Sequence, residues 1–286
     1  MNSELILNSD GSVYHLGLLP ENLAPTVIFV GDPGRVARVT AHFDSIEFQK
    51  EKREFVTHTG SYRGKRLSVI STGISTDNVD IVINELDALV NFDLSTGTPN
   101  SARKALKILR LGTSGSIHPK VAVDSILVSI NAIGLDGLDR HYIQNVPGSQ
   151  PYGWNDFSVY LNDIIDVPTY ISSADPSLLQ AFTEFKSGTT ITCPGFYGPQ
   201  GRSLYLKSRI GPFLDEFYNH RIDDIPVTNM EMETAGIYLL SSLLGHRALS
   251  VNAILANRIT GTFSTQPDVV VDSMIEKCLE KIASID

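Results

Sequence analysis

The pattern of the chain predicts an α/β fold with helices on both faces of a sheet. Short apolar runs of strand length at residues 27–30, 67–71, 108–111, 126–130 and 249–255 alternate with helix-like stretches. That is the pattern left by strands that feed helices and return to one sheet. No internal repeat or low-complexity tract interrupts it and nothing reads as a linker, so a single domain over residues 1–286 is expected. With 286 residues, 42 % of them hydrophobic and 19 % charged, the chain has ample apolar material for a core.

Composition also excludes several classes of function. A formal net charge of −9 argues against a nucleic-acid surface and repels phosphate in bulk, so any anion site must be built locally from a few arginines. No segment approaches the ~18 consecutive apolar residues of a membrane span, and the first residues lack the order of a signal peptide. A soluble, cytoplasmic protein with no membrane partner is expected. The two cysteines, Cys193 and Cys278, show no metal-ligand spacing and read as reduced thiols.

Taken in order, the first candidate is His15, set between apolar neighbours, where a histidine is more often a satisfied structural residue than a functional one. Next, the strand at 27–30 runs into Gly31-Asp32-Pro33-Gly34-Arg35. Asp as N-cap and Pro at the first helical position start a helix strongly, which puts backbone amides and Arg35 where anions bind. Capping alone would give the same pattern. Arg53, beside Glu54, reads in isolation as part of an exposed strand with a salt bridge. Residues 71–79 lead from a strand into a helix over 77–90 whose apolar positions are Val79, Val82, Ile83, Leu86, Leu89 and Val90. That helix is core packing, with only the Thr72-Gly73 turn near a ligand.

The stretch from Lys107 to Ile117 is an apolar run carrying one arginine, Arg110, and ending on Gly112 and Gly115 with hydroxyls between them. It reads as a central strand delivering a basic side chain and a small-residue turn to a pocket. A buried guanidinium needs a carboxylate or a bound anion, so Arg110 belongs to a structural salt bridge or to an anion site. Residues 135–168, rich in Gly, Pro, Asn and Asp, read as a long surface excursion or a lid. Residues 192–202 hold three glycines, two prolines, two aromatics, Gln200 and Arg202. Gln and Arg two apart beside aromatic rings suit a flat heterocycle, though a Gly/Pro-rich surface loop has the same composition. Finally Glu231 and Glu233 flank Met232 where a strand passes into a helix ending near Gly245. Apolar runs on both sides imply that at least one glutamate is buried and needs donors, and ribose hydroxyls are good donors.

Together His15, Gly31-Asp32-Pro33-Gly34-Arg35, Arg53-Glu54-Phe55, Ser71-Thr72-Gly73-Ile74, Arg110 to Gly115, Phe196 to Arg202, Asn229 to Glu233 and Asn257-Arg258 resemble the trimeric and hexameric nucleoside phosphorylases, in the uridine phosphorylase branch. The match spans about residues 13–260, in order and at compatible spacing. The resemblance implies a three-layer sandwich with a mixed central β-sheet flanked by helices, and a pentosyltransferase that splits uridine with phosphate. It further implies that Gly31, Arg35, Arg110 and Thr113 hold phosphate, with Arg53 reaching in from a neighbouring subunit. Glu233 would accept the ribose 2′ and 3′ hydroxyls, Met232 would pack on the sugar, and a neighbour's His15 would meet the 5′ hydroxyl. Gln200 and Arg202 would bind the base edge, with Phe196 as stacking wall and Arg258 behind. The implied partners are a pyrimidine nucleoside, phosphate and a second copy of the chain. The implied assembly is a homodimer at minimum, with a trimer of dimers as the larger alternative. No organic cofactor or metal is implied, apart from a monovalent cation held in some relatives near Glu54.

Phosphorolysis needs an anion held against C1′ and a carboxylate near the developing oxocarbenium ion. Three arginines in an acidic chain suit that need. Purine members carry an acidic Ser-Asp motif after the last strand where this chain has Ala256-Asn257-Arg258. Asn cannot act as a general acid, whereas Gln200 and Arg202 can stabilise a departing uracil anion. The chain departs from the family pattern at Ser75-Thr76-Asp77-Asn78, where relatives have Gly-Gly-Pro-Ser or Gly-Ile-Pro-Ser. A purine phosphorylase, a water-using nucleosidase and a non-catalytic nucleoside-binding protein are the competing readings.

Overall fold

Every strand that ends in one of these glycine turns belongs to the same sheet. In the computed structural model, which describes residues 4–142 and 155–285, β1 (Thr26–Val30) leads into α1 (Pro33–Thr40). The meander β2 (Ser45–Lys52), β3 (Phe55–Tyr62) and β4 (Lys65–Ser71) then feeds α2 (Thr76–Asn91). A small hairpin of β5 (Phe92–Asp93) and β6 (Thr98–Pro99) precedes the long strands β7 (Lys107–Ser116) and β8 (Ile126–Gly134). After α3 (Asp156–Ile165) come β9 (Tyr170–Ser173), α4 (Pro176–Leu179), β10 (Lys186–Thr192), β11 (Arg221–Ile222) and β12 (Ile225–Glu231). The chain closes with α5 (Thr234–Leu244), β13 (Arg247–Asn257), β14 (Thr262–Phe263) and α6 (Pro267–Ser284).

The local reasons match the expectations. All five residues of β1 are buried, as an apolar central strand requires. Asp32 caps α1 by accepting from the Gly34 N–H at 2.9 Å, with Pro33 in the first turn. The apolar stripe of α2 is buried at Val79, Val82, Ile83, Leu86 and Leu89. Helix α5 is apolar almost all round because it is enclosed, packing on α2, β8, β9, β10 and β13. Both cysteines are buried free thiols.

The sheet runs in the order β11-β12-β10-β8-β13-β7-β1-β4-β3-β2, mixed in direction. Alternation of strands and helices does not foretell its most consequential feature. β12 pairs with β10 and also, through Asn229 with Ser116 and Met230 with Gly115, with β7. Strands β7, β13, β8, β10 and β12 therefore close a ring inside the larger sheet. Register shifts between Gly188 and Thr189, Thr189 and Thr190, and Ile254 and Ala256 provide the bends that closure requires. Gly188 is needed there, since a Cβ would stand 2.2 Å from Thr228 Oγ1.

Three sequence expectations need correction. Gly112 to Gly115 do not form a turn, because β7 continues through both glycines to Ser116, paired with β13 along its length. Arg53 is not in a strand but at the tip of the β2–β3 hairpin, at φ +56°, where its guanidinium lies 5.9 Å from the Tyr14 ring centre. The described part of the 135–168 stretch, expected as a long surface excursion or a lid, includes a helix with a buried face. Residues 143–154 lie outside the described residues, but the following turns form α3, capped by Asn155 through the Ser158 N–H at 2.9 Å. Phe157 and Leu161 of α3 are buried in a second apolar cluster with Ile133, Ile191, Phe217 and Met230. Among the described residues no helix is long and apolar enough to cross a membrane.

Candidate active site

Parallel strands end on one side of a sheet, and their C-terminal turns converge there. Here the parallel strands β1 and β4 lead, through Gly31 and Arg35 and through Gly73, Ile74 and Asn78, into a cleft of about 830 Å³. Strand β7, parallel to β1, lines it with its own residues Arg110, Thr113, Ser114 and Gly115, and β12, antiparallel to β7, reaches it from the other direction. Met230 to Glu233 close the floor, Leu255, Ala256 and Phe263 form another wall, and Phe196, Gln200 and Arg202 arrive from the loop after β10.

Arg110 is 4 % exposed and serves both as ion pair and as cleft wall, so the two readings left open for it are not exclusive. Its Nη2 lies 2.6 Å from Glu233 and 3.1 Å from Glu231, and its Nη1 donates to Asn252 Oδ1 at 2.9 Å. Burial works against its charge, but the two carboxylates outweigh that and raise its pKa. Arg35 is half-buried; its Nη1 donates to the Leu111 carbonyl at 3.2 Å, while its buried Nε has no hydrogen-bond partner among the described residues. Burial and then the neighbouring Arg110 charge pull its pKa down. Two adjacent guanidinium groups with an unmet N–H are suited to an anion.

Both glutamates are buried, and they have separate occupations. Glu231 accepts from Thr192 Oγ1 at 2.6 Å, from the Glu233 N–H at 3.0 Å and from Thr234 Oγ1 at 2.9 Å. It thus fixes the turn from β12 into α5. Glu233 accepts from Arg110 and, at 2.8 Å, from the Ser75 N–H. Burial pushes the pKa of Glu233 up, Arg110 pulls it back and Glu231 adds to the rise. Its remaining lone pairs face the cleft beside half-buried Met232.

The loop after β10 builds the other end. Gln200 is buried on a short 3-10 turn, Gly198–Gln200, and its Oε1 accepts from Arg202 at 2.7 Å. Arg202 also donates to the Phe196 carbonyl at 2.6 Å and stacks on the Phe196 ring at 3.7 Å. Arg258 is outside the cleft lining and behind it, donating to the Gln200 carbonyl. Asn257 is buried and turned away. Its Nδ2 donates to the His118 and Val121 carbonyls, and its Oδ1 accepts from the N–H groups of Ile259 and Thr260.

Nine of the residues singled out from sequence share this cleft: Gly31, Arg35, Arg110, Thr113, Phe196, Gln200, Arg202, Met232 and Glu233. His15 and Arg53 are not among its lining residues. His15 is held by Glu85 of α2, with Nδ1 2.7 Å from the carboxylate, which also accepts the N–H groups of His15 and Leu16. Sequence reasoning missed the Ser75 N–H, Ser114, Leu255 and Phe263. Ser114 carried a signal as one of the hydroxyls between Gly112 and Gly115, and Ser75 as a departure from the family's glycine. The Ser75 φ of +84° and ψ of 159° are a glycine-like conformation.

Comparisons with known proteins agree with this geometry. A nucleoside phosphorylase of Trypanosoma brucei, described as showing uridine phosphorylase activity, superimposes with a TM-score of 0.84 at 29 % identity, covering 98 % of this chain and 99 % of that one. A uridine phosphorylase of Thermococcus kodakarensis is 28 % identical over 92 % of this chain and 84 % of its own length. A DeoD-type purine nucleoside phosphorylase of Caldanaerobacter subterraneus is 25 % identical over 86 % of this chain and 89 % of its own. The family model for the Phosphorylase superfamily matches residues 25–285, and the chain belongs to that superfamily.

Proposed function

We propose that the chain is a uridine phosphorylase: phosphate displaces uracil from uridine, giving ribose 1-phosphate, in a reversible reaction carried by one domain. The observation that carries this reading is the pairing in one cleft of two adjacent guanidinium groups, Arg35 and Arg110, with a buried carboxylate, Glu233, 2.6 Å from Arg110. Phosphate held by Arg35, Arg110, Thr113 and the Gly31 turn would sit beside the sugar whose 2′ and 3′ hydroxyls Glu233 accepts. The ionised carboxylate and the anion then stabilise positive charge growing at C1′. Gln200 and Arg202 would hold the uracil edge and stabilise it as it leaves, with Phe196 as the stacking surface and Met232 on the sugar. Phosphate is a co-substrate, and no organic cofactor or metal takes part in the proposed steps.

A purine phosphorylase is the second reading, supported by the DeoD-type relatives. It is disfavoured because Asn257 cannot protonate a leaving purine and its amide is already occupied by backbone groups. A nucleosidase would have no use for both Arg35 and Arg110. Assays of uridine, thymidine, inosine and methylthioadenosine, each with and without phosphate, separate these readings. Phosphate-dependent turnover with uridine faster than inosine is expected; equal rates without phosphate, or inosine faster than uridine, would overturn the proposal.

The proposal extends to assembly. His15 and Arg53 are outside the cleft of their own chain, and we propose that each serves a partner's site in a homodimer, related by a two-fold axis. Mixing inactive Arg53→Ala and Glu233→Ala variants after reversible dissociation should restore activity, because one site of each heterodimer would carry neither lesion. Absence of recovery in verified heterodimers would make Arg53 a residue of its own subunit.

A further inference from the structure

The interior of the ring formed by β7, β13, β8, β10 and β12 is not purely apolar. A file of fully buried polar side chains crosses it. Asn252 on β13, Ser129 on β8, Thr190 on β10 and Asn229 on β12 are all 0 % exposed. The file starts at Arg110 and ends at Ser114, both of which line the cleft.

The direction of each bond in this file follows from what each atom can do. Arg110 only donates, so the Asn252 group 2.9 Å from Nη1 must be the carbonyl oxygen. That leaves the Asn252 amide nitrogen to donate to Ser129 Oγ at 3.2 Å. At the far end Thr190 Oγ1 donates to Asn229 Oδ1 at 3.0 Å, and Asn229 Nδ2 donates to Ser114 Oγ at 3.0 Å. The one proton of Thr190 is thereby used, so the 2.6 Å contact between Ser129 and Thr190 has Ser129 as donor. All the bonds then run one way round the ring, an arrangement in which each polarises the next. Ser114 Oγ accepts from Asn229 and keeps its own proton for the cleft.

A second constraint acts on the same guanidinium. A Cβ on Gly112 would lie 2.0 Å from Arg110 Nη1 and 2.4 Å from its Cζ, so the guanidinium lies across a bare backbone. Nη2 is drawn by Glu231 and Glu233 on one side, and Nη1 is held by Asn252 on the other. Without Asn252 nothing of comparable strength opposes the two carboxylates, since the other side-chain acceptor of Nη1, Ser250 Oγ, is 3.4 Å away.

We infer that Asn252 is a positioning residue, which keeps the Arg110 guanidinium available to the anion and, through the one-way file, aims the Ser114 hydroxyl into the cleft. The inference rests on the proposed phosphorolysis, with Arg110 as a phosphate ligand. Asn252 itself touches neither substrate nor reacting atoms.

The test compares wild type with Asn252→Leu, close in size but without donor or acceptor, and with Ser129→Ala, which cuts the file one bond further on. Steady-state phosphorolysis of uridine is read together with the rise in melting temperature caused by inorganic phosphate alone. For Asn252→Leu, a KM for phosphate raised about tenfold or more is expected, with the KM for uridine changed less than about threefold and the phosphate-induced rise abolished. Ser129→Ala should raise the KM for phosphate by a smaller factor, about threefold. If Asn252→Leu does not fold, Ser129→Ala decides the matter by the same two readouts. Values within twofold of wild type for phosphate, in a variant that folds, would overturn the inference. A wild type stabilised by phosphate but inert towards uridine would overturn the proposed function instead, and the loss of stabilisation in Asn252→Leu would still be decisive for the positioning role.

Discussion

The two ends of the cleft are built by different means. At the Arg110 end the groups belong to a strand of the closed ring and to the turn after β12, are at most 5 % exposed at Arg110 and Glu233, and are tied to further buried partners. At the Arg202 end the groups come from a loop, and Phe196 is 51 % exposed. Gln200 and Arg202 are bonded to each other and to that loop's own backbone. Charges held without water act strongly and cannot relax, which suits the part of a reaction where charge develops. A loop with a half-exposed ring can adapt, which suits the part that selects a base.

The comparison is broken or sharpened first at its largest expected effect. Arg110→Ala should lower kcat/KM about a hundredfold or more, since a charge-assisted contact that strengthens in the transition state typically contributes ~3 kcal/mol. Arg202→Ala, at the half-exposed end, should lose about tenfold against uridine while the KM for phosphate stays within about threefold. Lys107→Ala, on the same strand as Arg110, should stay near wild type in steady-state kinetics. Equal losses for Arg110→Ala and Lys107→Ala would reduce Arg110 to a structural ion pair.

The second effect is in the pH profile. Burial is the largest influence on Glu233 and raises its pKa, so the acid limb of kcat/KM should lie above the ordinary glutamate range. The sign for stability is opposite. With a folded value above the unfolded one, the contribution of this group is present below the unfolded value and lost as pH rises through the folded one. Activity and this stability contribution should therefore move in opposite directions across the same window. Glu233→Gln, assayed for kcat/KM against pH, should lack the limb; persistence of the limb would assign it to another group.

The smallest effect concerns Ser75, which holds a glycine-like φ of +84° while its N–H reaches Glu233 at 2.8 Å. Backbone strain of this kind is of order 1–3 kcal/mol, partly offset by the greater freedom of an unfolded glycine. Ser75→Gly should stabilise the protein by about 1 kcal/mol in urea unfolding, with kcat/KM within twofold, because the N–H donor is retained. A destabilised variant would show that the Ser75 hydroxyl, 3.1 Å from Asp77, matters more than the conformation.

By itself the sequence determined those parts of the molecule set by local periodicity and turn chemistry. These include the apolar strands at 27–30 and 108–111, the Asp32 cap with Pro33 and the buried stripe of α2, but not the glycine turn expected after Arg110, where β7 runs on to Ser116. Nine cleft residues followed from motifs in register. The sequence was silent where the cause lies between distant strands. Nothing near Asn229 announces that β12 also pairs with β7, and the single register pairing Met230 with Gly115 brings the Glu231–Glu233 turn to Arg110. Asn252 reads as one polar residue in an apolar strand, and its partners Arg110 and Ser129 lie 142 and 123 residues away. Arg53 reads as strand, because the hairpin tip that turns it outward is fixed by the pairing of β2 with β3. Periodicity marks which face of an element is buried; only tertiary closure of the ring decided which buried polar groups meet, because a hydrogen bond depends on ångström-scale placement that local pattern does not carry.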